Sequence, residues 1–216
     1  MNARLAFFCF AALVAMSHLA NDWIDLAPPG GLVWKAGGIV LLGIYALWRR
    51  AWLAGIALLF CAAGDVLLEI VFVAGMAAFA LGHIVYILCF LEWRRVAGAN
   101  MRDLPVAGLV LAVSVGLLVW FFPGMGDLTI PAVVYQAIIT VMVLTAILVK
   151  APMTARLGAV LFMISDTLIA VGKFTDLRAP PGSVWITYAG AQIMIAWGLS
   201  QIAPWRDRMK RRAAEA

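Results

Sequence analysis

Two aspartates sit where the surrounding residues suit only hydrocarbon: Asp65 in FCAAGDVLLEIVF (60–72) and Asp166 in GAVLFMISDTLIAVGKF (158–174). Glu69 follows Asp65 by one helical turn. A charged side chain near the middle of a bilayer costs at least about 2.5–3.5 kcal/mol, and aspartate is too short to snorkel out, so two such costs demand a reason. Either the acids pair with other polar groups as structure, or they line a hydrated cavity where their chemistry is used; ionisable groups inside membranes so often mark sites that the second reading is preferred. The chemistry open to a close carboxyl pair is acid–base work. Burial disfavours ionisation and two neighbouring carboxyls resist ionising together, so one member can hold a proton while the other stabilises a cation or directs water.

Other polar residues in the apolar runs include Lys35, His83, Tyr86, Tyr135, Thr187, Tyr188 and Gln192. Each has a plain structural alternative: an interfacial anchor for a tyrosine, an interhelical hydrogen bond for His83 or Gln192, snorkelling for Lys35, and surface exposure for Glu69. No G-x-S-x-G elbow or Cys-His pair offers a nucleophile. With only His18 and His83 present, a three-histidine zinc site is excluded, leaving two aspartates and one histidine as the remaining metal arrangement; no metal and no cofactor are expected. Cys9, Cys61 and Cys89 match no ligand spacing and are expected to be reduced and inert.

The elements that must position these groups follow from composition. The 216 residues are 65% hydrophobic and 12% charged, with a mean hydropathy of +1.01, which describes an integral membrane protein. Eight apolar runs, at about 4–20, 31–48, 51–70, 72–91, 104–122, 130–149, 154–172 and 183–203, are each long enough to cross a core of roughly 30 Å as a helix. They lack the alternation of a membrane β-strand. The expected fold is an all-α polytopic bundle of eight transmembrane helices in one domain, 1–216, with a basic tail at 205–216. The first run is read as a retained helix rather than a cleaved signal peptide, because His18 stands where a small residue is wanted.

The net charge of +5 serves topology and not nucleic acid. Thirteen Lys and Arg fall with the termini and the loops WRR (48–50), EWRRVAGANMRD (92–103) and KAPMTAR (150–156). The opposite loops hold Asp22, Asp25, Asp127 and Asp176 with only Lys173 and Arg178 as basic residues. The positive-inside rule then places both termini in the cytoplasm, with a bacterial inner membrane as the expected location and membrane lipids as neighbours. In that orientation Asp65 lies about 20 Å from the cytoplasmic end of its span, Asp166 at similar depth, and Lys35 about 6 Å from the outer end of its own. Tyr135, Thr187 and Tyr188 are near outer ends; His83, Tyr86 and Gln192 are near the midplane. The short match of GDVLLEIVF (64–72) to SDTLIAVGKF (165–174), 101 residues on, is consistent with two parallel four-helix repeats, 1–100 and 101–204, that would set the two aspartates face to face.

Three segments carry a family resemblance. GDVLLEIVFVAGMAAFALGHIVYILCF (64–90), GAVLFMISDTLIAVGKF (158–174) and TYAGAQIMIAWG (187–198) resemble, in order, the GD…FxxG…H…Y, SD and TYxxAQ segments of the lysoplasmalogenase, or YhhN-like, membrane proteins. Lys35 falls where that family has Lys-Pro-Leu, here followed by Ala36 and Gly37; Glu69 replaces an apolar residue, and VGKF replaces Asn-Arg-Phe. The resemblance implies an eight-helix hydrolase that cleaves the vinyl ether of a lysophospholipid within the bilayer, giving a fatty aldehyde and glycerophosphoethanolamine or glycerophosphocholine. It implies Asp65 and Asp166 as the catalytic pair. Lys35 suits the phosphate, and Tyr188, Tyr135 or His83 would orient the acids. Tyr86, Thr187 and Gln192 complete the expected substrate-binding set. The rival from another class is a proton-coupled transporter or channel using Asp65, Glu69 and Asp166.

Overall fold

In a computed structural model of the chain, residues 2–215 are described. The side chains of Asp22 and of 210–215 lie outside the described residues, and with them part of the basic tail. The helices are α1 (Ala3–Ser17), α2 (Gly30–Trp48), α3 (Trp52–Ile70), α4 (Phe72–Ala97), α5 (Leu104–Phe121), α6 (Thr129–Ile147), α7 (Met153–Phe174), α8 (Ser183–Leu199) and α9 (Ile202–Glu215). A short turn of helix, Asn21–Ile24, lies between α1 and α2. Among the described residues the one β-type pairing is an isolated bridge between Ala99 and Val149. This is what hydrocarbon imposes: with no water to receive backbone N–H and C=O groups, each segment must satisfy its own, as a helix does.

Among the described residues seven helical segments are long and apolar enough to cross a membrane: α1 with the helical turn that carries it to Ala20, then α2, α3 and α4, the segments Met101–Gly124 and Gly126–Ile147 that contain α5 and α6, and α7. The eighth expected span, α8, has 17 residues, about 25 Å of helix, the short end of what crosses a bilayer. It is packed inside the protein, with Trp185, Tyr188, Gln192 and Ile195 all buried. Two boundaries differ from the hydropathy reading. Helix α4 continues to Ala97, past the charged Glu92, Arg94 and Arg95, because a helix need not stop where the hydrocarbon does. The chain breaks after Leu199, and the expected tail forms α9, which docks through an Arg206–Glu92 ion pair and a Trp93–Trp205 ring contact at 5.9 Å.

Helices α1 and α5 are peripheral. Leu109, Val113 and Val119 of α5 are exposed toward lipid, while only Ala107, Ser114 and Phe121 of that helix are buried. The main core runs through α2, α3, α4, α6, α7 and α8. Helices α3 and α4 are joined by Val71 alone, in extended conformation, so α4 turns straight back along α3 and Glu69 is left at the bend. At the basic-loop end, Asn100 N donates to Leu148 O at 2.7 Å and Lys150 N to Gly98 O at 3.1 Å. Arg156 pairs there with Asp103, so the α4–α5 and α6–α7 loops are tied to one another.

Small residues let backbones approach, as expected where lipid removes the hydrophobic drive for helix association. A Cβ at Gly38 of α2 would lie 2.3 Å from the Ala15 Cα of α1, and one at Gly198 of α8 would lie 2.6 Å from the Ala155 N of α7. Gly37 has nothing within 4 Å. Gly38→Val is expected to destabilise the protein by about 1–3 kcal/mol through overpacking, read as a lower thermal midpoint in detergent, while Gly37→Ala leaves the midpoint unchanged or slightly raised.

Candidate active site

Asp65 is only 3% exposed and is met from α8, where Tyr188 donates its hydroxyl to Oδ2 at 2.7 Å. Asp166 is met in the same way: Tyr135 of α6 donates to its Oδ2 at 2.5 Å. His83 of α4 completes this second group, with Nε2 3.0 Å from the Tyr135 oxygen and 3.6 Å from Asp166 Oδ2. Because the tyrosine spends its proton on the carboxyl, its oxygen accepts from His83, which puts the imidazole hydrogen on Nε2. The Nδ1 atom is buried without a partner, tolerable for a bare acceptor and costly for an N–H.

Each acid is thus served by residues from distant parts of the chain. Asp65 on α3 is bonded from α8, and Lys35 of α2 lines the same cavity. Asp166 on α7 looks to α4 and α6. Advancing four spans carries α3 to α7 and α2 to α6, and going back four carries α8 to α4.

Both aspartates line one cavity of about 390 Å³, together with Lys35, Glu69, Tyr188 and Trp185. Lys35 Nζ donates to Glu69 Oε1 at 2.5 Å, with the lysine side chain 17% and the glutamate side chain 54% exposed. The cavity therefore has a charged mouth and two carboxyls within. Phe79, in the cavity wall, is edge-on to Tyr188 at 5.8 Å, and the fully buried Phe162 packs against Phe79 and sits edge-on to His83 at 4.6 Å and to Tyr188 at 5.3 Å; His83 and Tyr135 do not themselves line this cavity. Trp185 packs on Tyr188 at 5.3 Å and donates its indole N–H to Ala15 O at 2.9 Å, so α1 steadies the helix that carries the tyrosine.

Not every polar residue picked out in the sequence reaches this space. Tyr86 and Gln192 are fully buried and bond to each other at 2.7 Å, away from the cavity lining. Thr187 returns its hydroxyl to Ser183 O and Val184 O of its own helix at 2.7 and 3.0 Å. Cys61 and Cys89 are buried and Cys9 is exposed, all three unpaired. Conversely, Phe79, Ser165 and Trp185 line the cavity without having been singled out. Ser165 donates to Val184 O at 3.0 Å, holding α7 to the start of α8. Its only sequence signal is being next to Asp166; that of Trp185 is standing one turn before Tyr188. Among the described residues no three His, Cys, Asp or Glu side chains cluster as metal ligands would.

A membrane helix bundle with two internal acids sharing a cavity is the class of protein that this arrangement defines. The family model for the YhhN family matches residues 31–199, and the chain belongs to that family. It is 38% identical over 180 residues, 76% of this chain and 68% of the relative, to the lysoplasmalogenase of Mycobacterium bovis, and by the same measures to that of Mycobacterium tuberculosis. No solved structure matches it.

Removing the donor from a buried carboxyl leaves it unsatisfied, so Tyr188→Phe is expected to cost about 1–3 kcal/mol of stability. In a double-mutant cycle with Asp65→Ala, which removes the acceptor that Asn would keep, thermal unfolding should show a coupling of about 0.5–3 kcal/mol between the two positions; additive losses would mean that the bond contributes nothing.

Proposed function

We propose that this protein is a hydrolase of the lysoplasmalogenase kind, cleaving the vinyl ether of a single-chain ether phospholipid. The observation that carries the reading is that Asp65 and Asp166, from helices far apart in the chain, open into one cavity, each held by a tyrosine hydroxyl. The 38% identity to lysoplasmalogenases over most of the chain supports the reaction class.

The chemistry asks for what such a pair supplies. One carboxyl delivers its proton to the β-carbon of the vinyl ether, leaving an oxocarbenium ion. The other, ionised, stabilises that cation and takes a proton from the attacking water. The resulting hemiacetal collapses to a fatty aldehyde and a glycerophospho-alcohol, with one water consumed and the catalytic proton returned. Tyr135 and Tyr188 fix the orientation of the two carboxyls. His83 steadies Tyr135, and Tyr86 with Gln192 brace the helices behind them. Lys35 is the cation for the phosphate, and Glu69, its ion-pair partner, faces the cationic end of an ethanolamine or choline headgroup. The loop charges favour both termini in the cytoplasm of an inner membrane, which sets the cavity at the depth of outer-leaflet headgroups. The four-span relation between the surroundings of the two aspartates favours an origin by duplication of a four-helix half.

Purified protein given a lysoplasmenyl lipid is expected to release aldehyde, and Asp65→Asn and Asp166→Asn each to lower the rate by about 10²–10⁴-fold with the thermal midpoint retained. Full turnover in either variant refutes the paired-acid mechanism. Proton or solute flux in liposomes without aldehyde would instead make the acids part of a transporter. Lys35→Ala should raise KM by about tenfold or more while changing kcat less, as loss of a charged hydrogen bond to the bound phosphate requires.

A further inference from the structure

The polar cavity does not end at the aspartates. A second, mainly apolar pocket of about 70 Å³ adjoins it, walled by Phe72 and Met76 of α4, Leu118 and Phe121 of α5, and Phe174 of α7, with Gln136 and Lys173 also in its lining, the Lys173 ammonium lying over the Phe72 ring at 4.6 Å. Leu68, Phe79, Asp166 and Ile169 line both spaces, so Asp166 stands at their boundary. Apart from Phe72, these walls belong to a small hydrophobic cluster built on Phe121, Met125 and Ala132 and separate from the main core. On its far side the pocket shares Met76 and Tyr135 with a groove of about 420 Å³ between α4 and α6. That groove is apolar and faces the lipid: Val73, Leu81, Ile84, Ile130 and Val134 are all exposed.

Polarity is therefore graded along one path. It falls across three adjoining spaces, from the Lys35–Glu69 pair past the two aspartates to the pocket beyond Asp166 and, past the shared Met76 and Tyr135, to the groove that faces hydrocarbon. A ligand that satisfies the whole path has a charged head and one long apolar tail, with its reactive bond where the two meet. We propose that the apolar pocket seats the methylenes next to the reacting bond, and that the remainder of the chain runs out through the Met76–Tyr135 junction into the α4/α6 groove, which is also the lateral way in from the bilayer. The proposal rests on the lysolipid reading given above and extends it to the tail.

Two consequences follow from the shape. The pocket is too small for a complete fatty chain, so the outlet to lipid is a requirement and the outer part of the tail is unselected. A single track accepts a single chain, which makes two-chain phospholipids poor substrates. Lipid tails are as apolar as the pocket, so it discriminates by space and not by hydrophobic gain. Tyr135 joins both halves of the path: it holds Asp166 and forms one side of the outlet.

A saturated ether lysophospholipid with a diazirine in mid-chain, which cannot be hydrolysed, tests the seat independently of turnover. Reconstituted in nanodiscs, the protein should be labelled on the α4 and α6 segments around Met76 and Val134. Met76→Trp and Ala77→Trp should each cut that labelling severalfold, and Leu109→Trp, on the lipid face of α5, should leave it unchanged. In parallel, the ratio of kcat/KM for a hexadecenyl over a butenyl substrate should fall by about tenfold in Met76→Trp and Ala77→Trp. A folding defect lowers both substrates and leaves the ratio alone, and the exposed position of Ala77 keeps that variant informative if Met76→Trp fails to fold. Labelling confined to other helices, or an unchanged ratio in Ala77→Trp, overturns the seat. Labelling at α4 and α6 in a protein that releases no aldehyde overturns the reaction and leaves the seat standing.

Discussion

Everything in this bundle is arranged around the difficulty of keeping a carboxyl group inside hydrocarbon. An aspartate in a membrane span must find a donor, and the donor must itself be amphipathic enough to live there. Tyrosine meets both conditions, and each acid has one: Tyr188 for Asp65 and Tyr135 for Asp166. Since donor and acceptor come from different helices, these two bonds also determine which helices lie together. The burial of α8 follows: it has to bring Tyr188 across to α3, and the short length of the helix is compatible with a place inside the protein.

The same two bonds organise the polar interior. Asp166 leads through Tyr135 to His83, a chain of hydrogen bonds whose direction is set by where each hydrogen must go. Around it, Phe79, Phe162 and Trp185 supply edges and faces without polar demands of their own. The result is a cavity with charge at its mouth, acids within and an apolar extension beyond, the sequence of environments that a lysolipid presents from headgroup to tail.

Much of this was legible in the residues before any coordinates. Composition and run length are enough for a helical membrane protein, because the cost of an unpaired backbone group in lipid leaves few alternatives. Among the described residues seven of the expected spans meet the length needed, and α8 is shorter than its apolar run, since hydropathy does not register a break at Leu199. The aspartates were conspicuous because their cost in hydrocarbon is large and local. Trp185, Ser165 and Phe79 were not, because an aromatic or a serine in a membrane helix is cheap and common, and only neighbours from other helices give it meaning. Tyr86, Gln192 and Thr187 show the converse: their polarity was visible, but whether it is spent on the cavity, on each other or on their own helix depends on rotation about the helix axis.

What the sequence by itself determined about this protein is where polarity stands along each span, since depth follows from counting residues at a fixed rise per residue. What only the tertiary structure decided is which way each side chain faces and whom it meets: that Tyr135 rather than another tyrosine serves Asp166, that Lys35 pairs with Glu69, and that an apolar pocket adjoins the acids. The physical reason is that hydrocarbon is indifferent to which apolar faces touch, so helix order and rotation are set by a few polar bonds and small-residue contacts between segments far apart in the chain.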